Sequence, residues 1–301
     1  MNESIHSDLA IESKISANTT LKESPENPEY EERVCGSSTI CRLNISSPSL
    51  AKKYGRREGS YVTVICGKIW LFSDADFHAV SNIIGDELKK MILSLIKADR
   101  IKKNLNVLVV GLGNSEITPD AIGPATVSRL IITRHINEFS KDIFNSLGQC
   151  AVSAITPGVL AQTGIDTLEL VKGAVENTRP NVVIAVDALA SRSCERLAAT
   201  VQIANNGISP GSGIGNLQKA INEENIGVPV IALGVPTVVD SATLVYDALE
   251  NAGITDIDNN LKTVLDNKRS FFVSPKECDV ITESVGKLLS GSINYALSVS
   301  T

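Results

Sequence analysis

A chain of 301 residues can bury a substantial core as one large domain, and a hydrophobic share of 43% with 4% aromatics and 21 glycines suits an α/β protein packed with Val, Ile, Ala and Gly. A formal net charge of −6 argues against a broad electrostatic grip on nucleic acid or anionic lipid. No apolar run nears the ~20 residues of a membrane span, and Met1-Asn-Glu-Ser-Ile-His-Ser-Asp8 lacks the basic and apolar regions of a signal peptide, so the chain is expected to be cytoplasmic.

Residues 1–60 are rich in Ser, Glu and Asn and carry Pro25-Glu-Asn-Pro28, which predicts an irregular arm. A strand is expected over Tyr61–Cys66. Apolar residues at Val80, Ile83, Ile84, Leu88, Met91, Ile92 and Leu95 then predict a helix over Phe77–Lys97. Val107–Val110 is β-branched and apolar without alternation, the pattern of a strand buried on both faces. It runs into Gly111-Leu-Gly113-Asn-Ser-Glu-Ile-Thr-Pro-Asp120-Ala-Ile-Gly-Pro124, a Gly-rich turn that ends in the first turn of a helix expected over Pro124–Ile136.

Further strands are expected at Ala151–Ile155, Asn181–Asp187, Thr200–Ala204 and Val228–Gly234. Helices are expected near Ile165–Glu176, after Asp240 to about Leu249, and over Pro275–Leu297. Residues 208–215 read as a Gly-rich loop and 251–269 as irregular. Strands alternating with helices predict an α/β fold, a mainly parallel twisted sheet with helices on both faces.

Gly111-Leu-Gly113 sits where a dinucleotide fingerprint would, but Glu116 occupies the third glycine position and would repel a pyrophosphate. Gly211-Ser-Gly213 lacks the Lys-Ser/Thr ending of a phosphate loop, so no nucleotide cofactor is expected. Asp120 and Asp187 each fall just past the C-terminal end of a predicted parallel strand, where open α/β sheets place their ligands. Two carboxylates there can divide general acid–base work on an attacking water, one ionised to take a proton and the other protonated to polarise a carbonyl. Each could equally cap a helix or turn.

A zinc or nickel site usually adds imidazole or thiolate, and no histidine follows His135, so no metal is expected. The six cysteines form no CxxC pair and mostly read as small core residues, Cys194 among them in the helix after Asp187. Ser191 and Ser193 have no G-x-S-x-G elbow or histidine beside them. Arg192 could hold a substrate carboxylate or tune the aspartates, or make a surface ion pair.

These blocks, with Pro157-Gly-Val, Thr163-Gly-Ile-Asp-Thr, Ile184-Ala-Val-Asp187-Ala-Leu-Ala-Ser-Arg-Ser, Ile208-Ser-Pro-Gly-Ser-Gly-Ile-Gly-Asn216, Gly234-Val-Pro-Thr-Val-Val-Asp240 and Val273-Ser-Pro-Lys-Glu-Cys-Asp279, resemble the germination protease of spore-forming bacteria. The resemblance is carried by 105–250 and 273–279, while 13–104 and 251–272 depart from it. It implies a fold like the hydrogenase-maturation proteases and an endopeptidase acting in the spore core on small acid-soluble DNA-binding proteins, made as a zymogen and assembled as a homo-oligomer, a tetramer. It assigns the essential carboxylates to Asp120 and Asp187; Arg192 and Thr237 are added here as positioning candidates. Ser7-Asp8-Leu9-Ala10-Ile11-Glu12 follows the family's processing pattern, so self-cleavage is expected between Asp8 and Leu9, leaving 1–8 as a propeptide and 9–301 as one peptidase domain with an irregular arm to about residue 60. The alternatives are a metal-assisted endopeptidase of the maturation type, or a non-catalytic binding protein on the same scaffold.

Overall fold

A computed structural model describes residues 7–13, 29–211, 219–254, 257–266 and 271–299. The strands are β1 Tyr30–Cys35, β2 Ser38–Ile45, β3 Gly59–Ile65, β4 Asn106–Gly111, β5 Ala151–Ile155, β6 Val182–Ser191, β7 Thr200–Ala204, β8 Val230–Asp240 and β9 Phe272–Val273. The helices of six or more residues are α1 Pro48–Tyr54, α2 Asp74–Ile96, α3 Ile122–Val127, α4 Arg134–Phe139, α5 Lys141–Ser146, α6 Thr167–Thr178, α7 Ser241–Asn251, α8 Asn259–Asp266 and α9 Cys278–Ala296.

All nine strands join one sheet in the order β1-β2-β3-β7-β8-β6-β4-β5, with β9 on β8. The α/β class is borne out, and the sheet has two halves. β5, β4, β6 and β8 are parallel neighbours, whereas β1, β2, β3 and β7 add to β8 by antiparallel pairing. The unbroken apolar strands divide their side chains between two cores, as strands covered on both faces must. Val107 and Val109 join the core under α2 and α9; Leu108 and Val110 join the core under α6. All four are fully buried.

Helix α2 starts where Ser73 and Asp76 satisfy each other's backbone N–H groups in a capping box, and it stops at Lys97, which takes a left-handed conformation. Its Gly85 lies against Ser292 and Tyr295 of α9, where a side chain would not fit. The helices therefore pack closely across one face. Among the described residues, no helix is long and apolar enough to cross a membrane.

Four expectations change. Within the arm taken as irregular, residues 30–54 form a β1–β2 hairpin through Gly36 (φ 59°) and then α1. β1 lies at the sheet edge with four of its six residues exposed, so its polar composition concealed a strand. The helix expected over 124–136 ends at Val127 and resumes as α4, because the Ile131 and Thr133 amides donate to Asn294 Oδ1 and Val152 O (both 3.0 Å) rather than to a helical ladder. Residues 251–269, read as irregular, contain α8. Cys194 is exposed in a 3₁₀ turn rather than packed in a core helix; Cys41, Cys66 and Cys150 are the buried cysteines. The loop expected over 208–215 lies partly outside the described residues, and Ile208 bridges to Ile221.

Helix α3 begins immediately against the end of β4. A methyl group on Gly123 would fall on the Leu112 backbone, and one on Gly111 would meet the Gly123 carbonyl. Gly123→Ala should therefore cost about 3 kcal/mol, the upper part of the overpacking range. Gly173→Ala in α6, where nothing lies within 4 Å, should stabilise by about 0.5–1 kcal/mol. Denaturant unfolding of the two variants checks the contrast.

Candidate active site

Asp120 is delivered by the loop between β4 and α3. Gly113 adopts φ 103°, and a Cβ there would collide with the Asp120 carbonyl, so the loop folds back on itself only because residue 113 is glycine. The folded loop ends in a 3₁₀ turn, Thr118–Asp120, and the Asn114 amide donates to Asp120 Oδ2 at 2.7 Å. Two outside bonds pin it. Thr237 Oγ1 of β8 donates to Pro119 O at 2.7 Å, and Thr282 Oγ1 of α9 donates to Thr118 O at 2.8 Å.

Asp187 was expected at the end of its strand. It lies within β6 instead, which runs on to Ser191 beside β8. The pairing with β4 stops at Gly111↔Val186, so Asp187 is the first β6 residue beyond its shorter neighbour. That stagger opens the site. Asp187 is 5% exposed, and its Oδ1 accepts the Ala188 N–H at 2.9 Å.

Asp120 and Asp187, 67 positions apart in sequence, line one cavity of about 520 Å³ with Asp8, Arg56, Gln202 and Thr237. Burial raises the Asp120 carboxyl from its ordinary value, and the Asn114 N–H offsets part of the rise. Asp187 is raised well above that value. Burial is the largest cause, followed by the negative charges of Asp120 and Asp8; the Ala188 N–H works in the opposite direction. Asp187 therefore holds its proton more strongly than Asp120, and the two have unequal roles available.

The same face carries a row across three strands. Asp187 on β6 is paired with Gly234 on β8, which is paired with Gln202 on β7. Directly paired residues share a face of the sheet. A carboxyl and an amide thus flank a glycine, and the Leu189 side chain packs where a Cβ on Gly234 would lie.

Residues 7–13 run along this face. Leu9 and Ala10 are fully buried, and Ile11 is nearly so. The Asp8 amide donates to Ala190 O at 2.9 Å, and the Ala190 amide donates back to Asp8 Oδ2 at 2.8 Å. Glu12, 5% exposed, accepts the Arg192 and Ser193 amides at 2.8 and 3.1 Å, Arg196 Nε at 3.2 Å and the Ser7 hydroxyl. These charge-assisted bonds fix the register of the segment.

The structure brings together Asp120, Asp187, Thr237 and Asp8, with Leu9 beside them. It sends the Arg192 side chain elsewhere: Nε pairs with Asp247 of α7 at 3.2 Å, which corresponds to the ion-pair alternative. Arg56 and Gln202 were missed. Arg56 falls in the stretch read as irregular and had no signal; Gln202 had one, as an amide within the otherwise apolar and hydroxyl strand Thr200-Val-Gln-Ile-Ala204. Among the described residues, no three His, Cys, Asp or Glu side chains gather in a metal-binding group.

The family model described as germination protease matches residues 6–253. Germination proteases of Clostridium perfringens and Clostridium acetobutylicum are 38% and 35% identical to this chain, covering 97% and 98% of it and 95% of each relative. That of a Geobacillus species is 38% identical over 82% of this chain and 67% of its own. The similarity therefore extends through 13–104, which the sequence blocks alone left outside it.

The raised proton affinity of Asp187 has a consequence for stability. A carboxyl whose pKa is higher folded than unfolded favours folding at low pH, and that contribution is lost as pH rises from the unfolded value through the folded one. Asp187→Asn keeps the shape and the acceptor for Ala188 N–H without a charge. Its Tm relative to the unaltered chain should rise progressively with pH above the ordinary carboxylate range, measured by calorimetry from pH 4 to 9.

Proposed function

Since this chain belongs to the germination protease family and is accordingly a peptidase, we propose that it is an endopeptidase that starts the degradation of small acid-soluble spore proteins and first cuts itself between Asp8 and Leu9. The observation that carries this reading is the shared cavity in which Asp120 and Asp187 sit beside Asp8.

Asp120 is the more readily ionised of the pair and serves as the base. It takes a proton from water as the water oxygen bonds to the carbonyl carbon of the residue before the scissile bond. Asp187, which holds its proton, is the acid that serves the departing amide nitrogen. The C–N bond breaks, leaving a carboxyl on one fragment and an amine on the other. Burial of both groups maintains the difference between them without a water-filled surround to level it. Thr237 and Thr282 keep the Asp120 loop in place through hydrogen bonds to its backbone carbonyls.

The docking of residues 7–13 supports the processing site. Ser7–Leu9 lies outside any helix or strand and is followed by one helical turn over 10–13, with Asp8 lining the cavity. A non-catalytic binding protein would have no need for two buried carboxylates of unequal affinity. The metal-assisted alternative predicts sensitivity to chelators, and here cleavage should proceed unchanged in EDTA.

Asp120→Asn and Asp187→Asn should each slow release of residues 1–8 at least ~100-fold, within the range for loss of a general acid or base, with the fold retained. Mass spectrometry of the timed reaction reads the outcome; unimpaired release in either variant would overturn the pair. The rate should be bell-shaped in pH. It falls on the acid side as Asp120 takes a proton and on the alkaline side as Asp187 loses one, with the acid limb shifted upward from the ordinary aspartate value and the alkaline limb well above it.

A further inference from the structure

Two side chains hold the carbonyl of Asp8. Its oxygen accepts a hydrogen bond from Gln202 Nε2 at 2.8 Å and another from Arg56 Nη1 at 3.0 Å. The other end of the Gln202 amide accepts the Ala10 N–H at 2.6 Å, so one side chain spans Leu9 and grips the backbone on both sides of it. Arg56 also reaches Ser7 O, Leu9 O at 3.2 Å and Ser13 Oγ at 2.9 Å. Five donors in a fixed planar fork suit such a task, and a lysine would match only part of it.

Each donor is held from behind. Gln202 is 8% exposed, sits in β7 between β3 and β8, and shares the row Asp187–Gly234–Gln202 across the sheet. Arg56 follows α1, whose last turn closes at Gly55 in a left-handed conformation. Donors fixed before reaction lose no reorganisation energy when charge develops on the oxygen they face.

We propose that Arg56 and Gln202 are catalytic residues that bind the oxygen of the scissile carbonyl and stabilise the negative charge it acquires when water adds. The proposal rests on the reading of Asp8–Leu9 as the bond cut. Water's oxygen bonds to the Asp8 carbonyl carbon and one water proton passes to Asp120. The π electrons of the carbonyl move to its oxygen, which keeps its bonds to Gln202 Nε2 and Arg56 Nη1. When the C=O bond reforms, the bond to Leu9 nitrogen breaks and that nitrogen takes a proton from Asp187. The polarising task that sequence reasoning gave to a protonated carboxyl thus falls to an amide and a guanidinium, and Asp187 is free to serve the leaving group. Substrates cut in trans would place the carbonyl of their own scissile bond on the same two donors.

The test uses the full chain and its first-order self-cleavage, read by mass spectrometry of the Leu9-starting product. Gln202→Glu keeps the acceptor for Ala10 N–H and removes the donor to Asp8 O; it should slow cleavage ~10²–10³-fold, the usual effect of losing one such donor. Arg56→Met should do the same, and Arg56→Lys should recover part of the rate. Docking is measured separately, as protection of the Leu9 and Ala10 amides from hydrogen exchange, with Asp187→Asn added to prevent cutting. Protection kept in Arg56→Lys and Gln202→Glu while the rate falls supports the proposal. Cleavage at the unaltered rate in Gln202→Glu and Arg56→Met overturns it, and so does loss of protection in parallel with rate in every variant, which would leave the two residues only a holding role. If the unaltered chain is not cut between Asp8 and Leu9, the processing reading itself fails and takes this proposal with it.

Discussion

The site depends on placing two carboxyl groups together where water cannot equalise them. Two like charges at close range in a partly dry cavity resist ionising together, so one holds its proton while the other gives its proton up more readily. Asp187 is the more buried, and the negative charges of Asp120 and Asp8 add to the effect of burial. Asp120 keeps one backbone N–H directed at its carboxylate and is half-buried. The difference comes from the fold rather than from residue type, since both groups are aspartates.

The sheet supplies that difference through a mismatch in strand length. β6 outruns β4 by several residues, and its pairing with β8 continues through an irregularity between Leu189 and Ala190. Asp187 thereby lies inside a rigid strand and yet faces the loop that β4 cannot fill with more strand. On the other side, the Asp120 loop folds back on Gly113 and is tied to β8 and α9 by threonine hydroxyls. Rigid elements thus hold both groups, as the proposed catalytic geometry requires. The antiparallel half contributes the rest of the groove: β7 brings Gln202, and the stretch after α1 brings Arg56.

Much of the parallel half was legible in the sequence. Val107–Val110 and Val182–Val186 are apolar without alternation, and a strand covered on both faces leaves that pattern and no other. Each ends at or near an aspartate, so the pair could be named before any geometry was known. In the antiparallel half, β3 and β7 were legible as Tyr61–Cys66 and Thr200–Ala204, and only β1 and β2 were hidden, for the opposite reason. β1 is an edge strand whose exposed Glu31, Glu32 and Arg33 look like the polar arm that precedes it, and β2 was read together with it. The expected helix over 124–136 breaks before α4 because the Thr133 amide donates to Val152 O of β5 and its hydroxyl accepts the Val152 amide, a long-range choice that local periodicity cannot carry. Arg56 and Gln202 act through positions that only the sheet order brings near Asp187, and a single buried amide in a short strand is a faint signal.

The central claim is that Asp120 and Asp187 titrate as a coupled and unequal pair. Carbon-13 labelling of the aspartate side chains, with the carboxyl signals of the two residues followed from pH 3 to 9 by NMR, tests it directly. The account predicts that Asp187 titrates well above the ordinary carboxylate range and later than Asp120, and that Asp120→Asn moves the Asp187 midpoint down by removing the neighbouring charge. Two midpoints in the ordinary range, with that of Asp187 unmoved by Asp120→Asn, would contradict it.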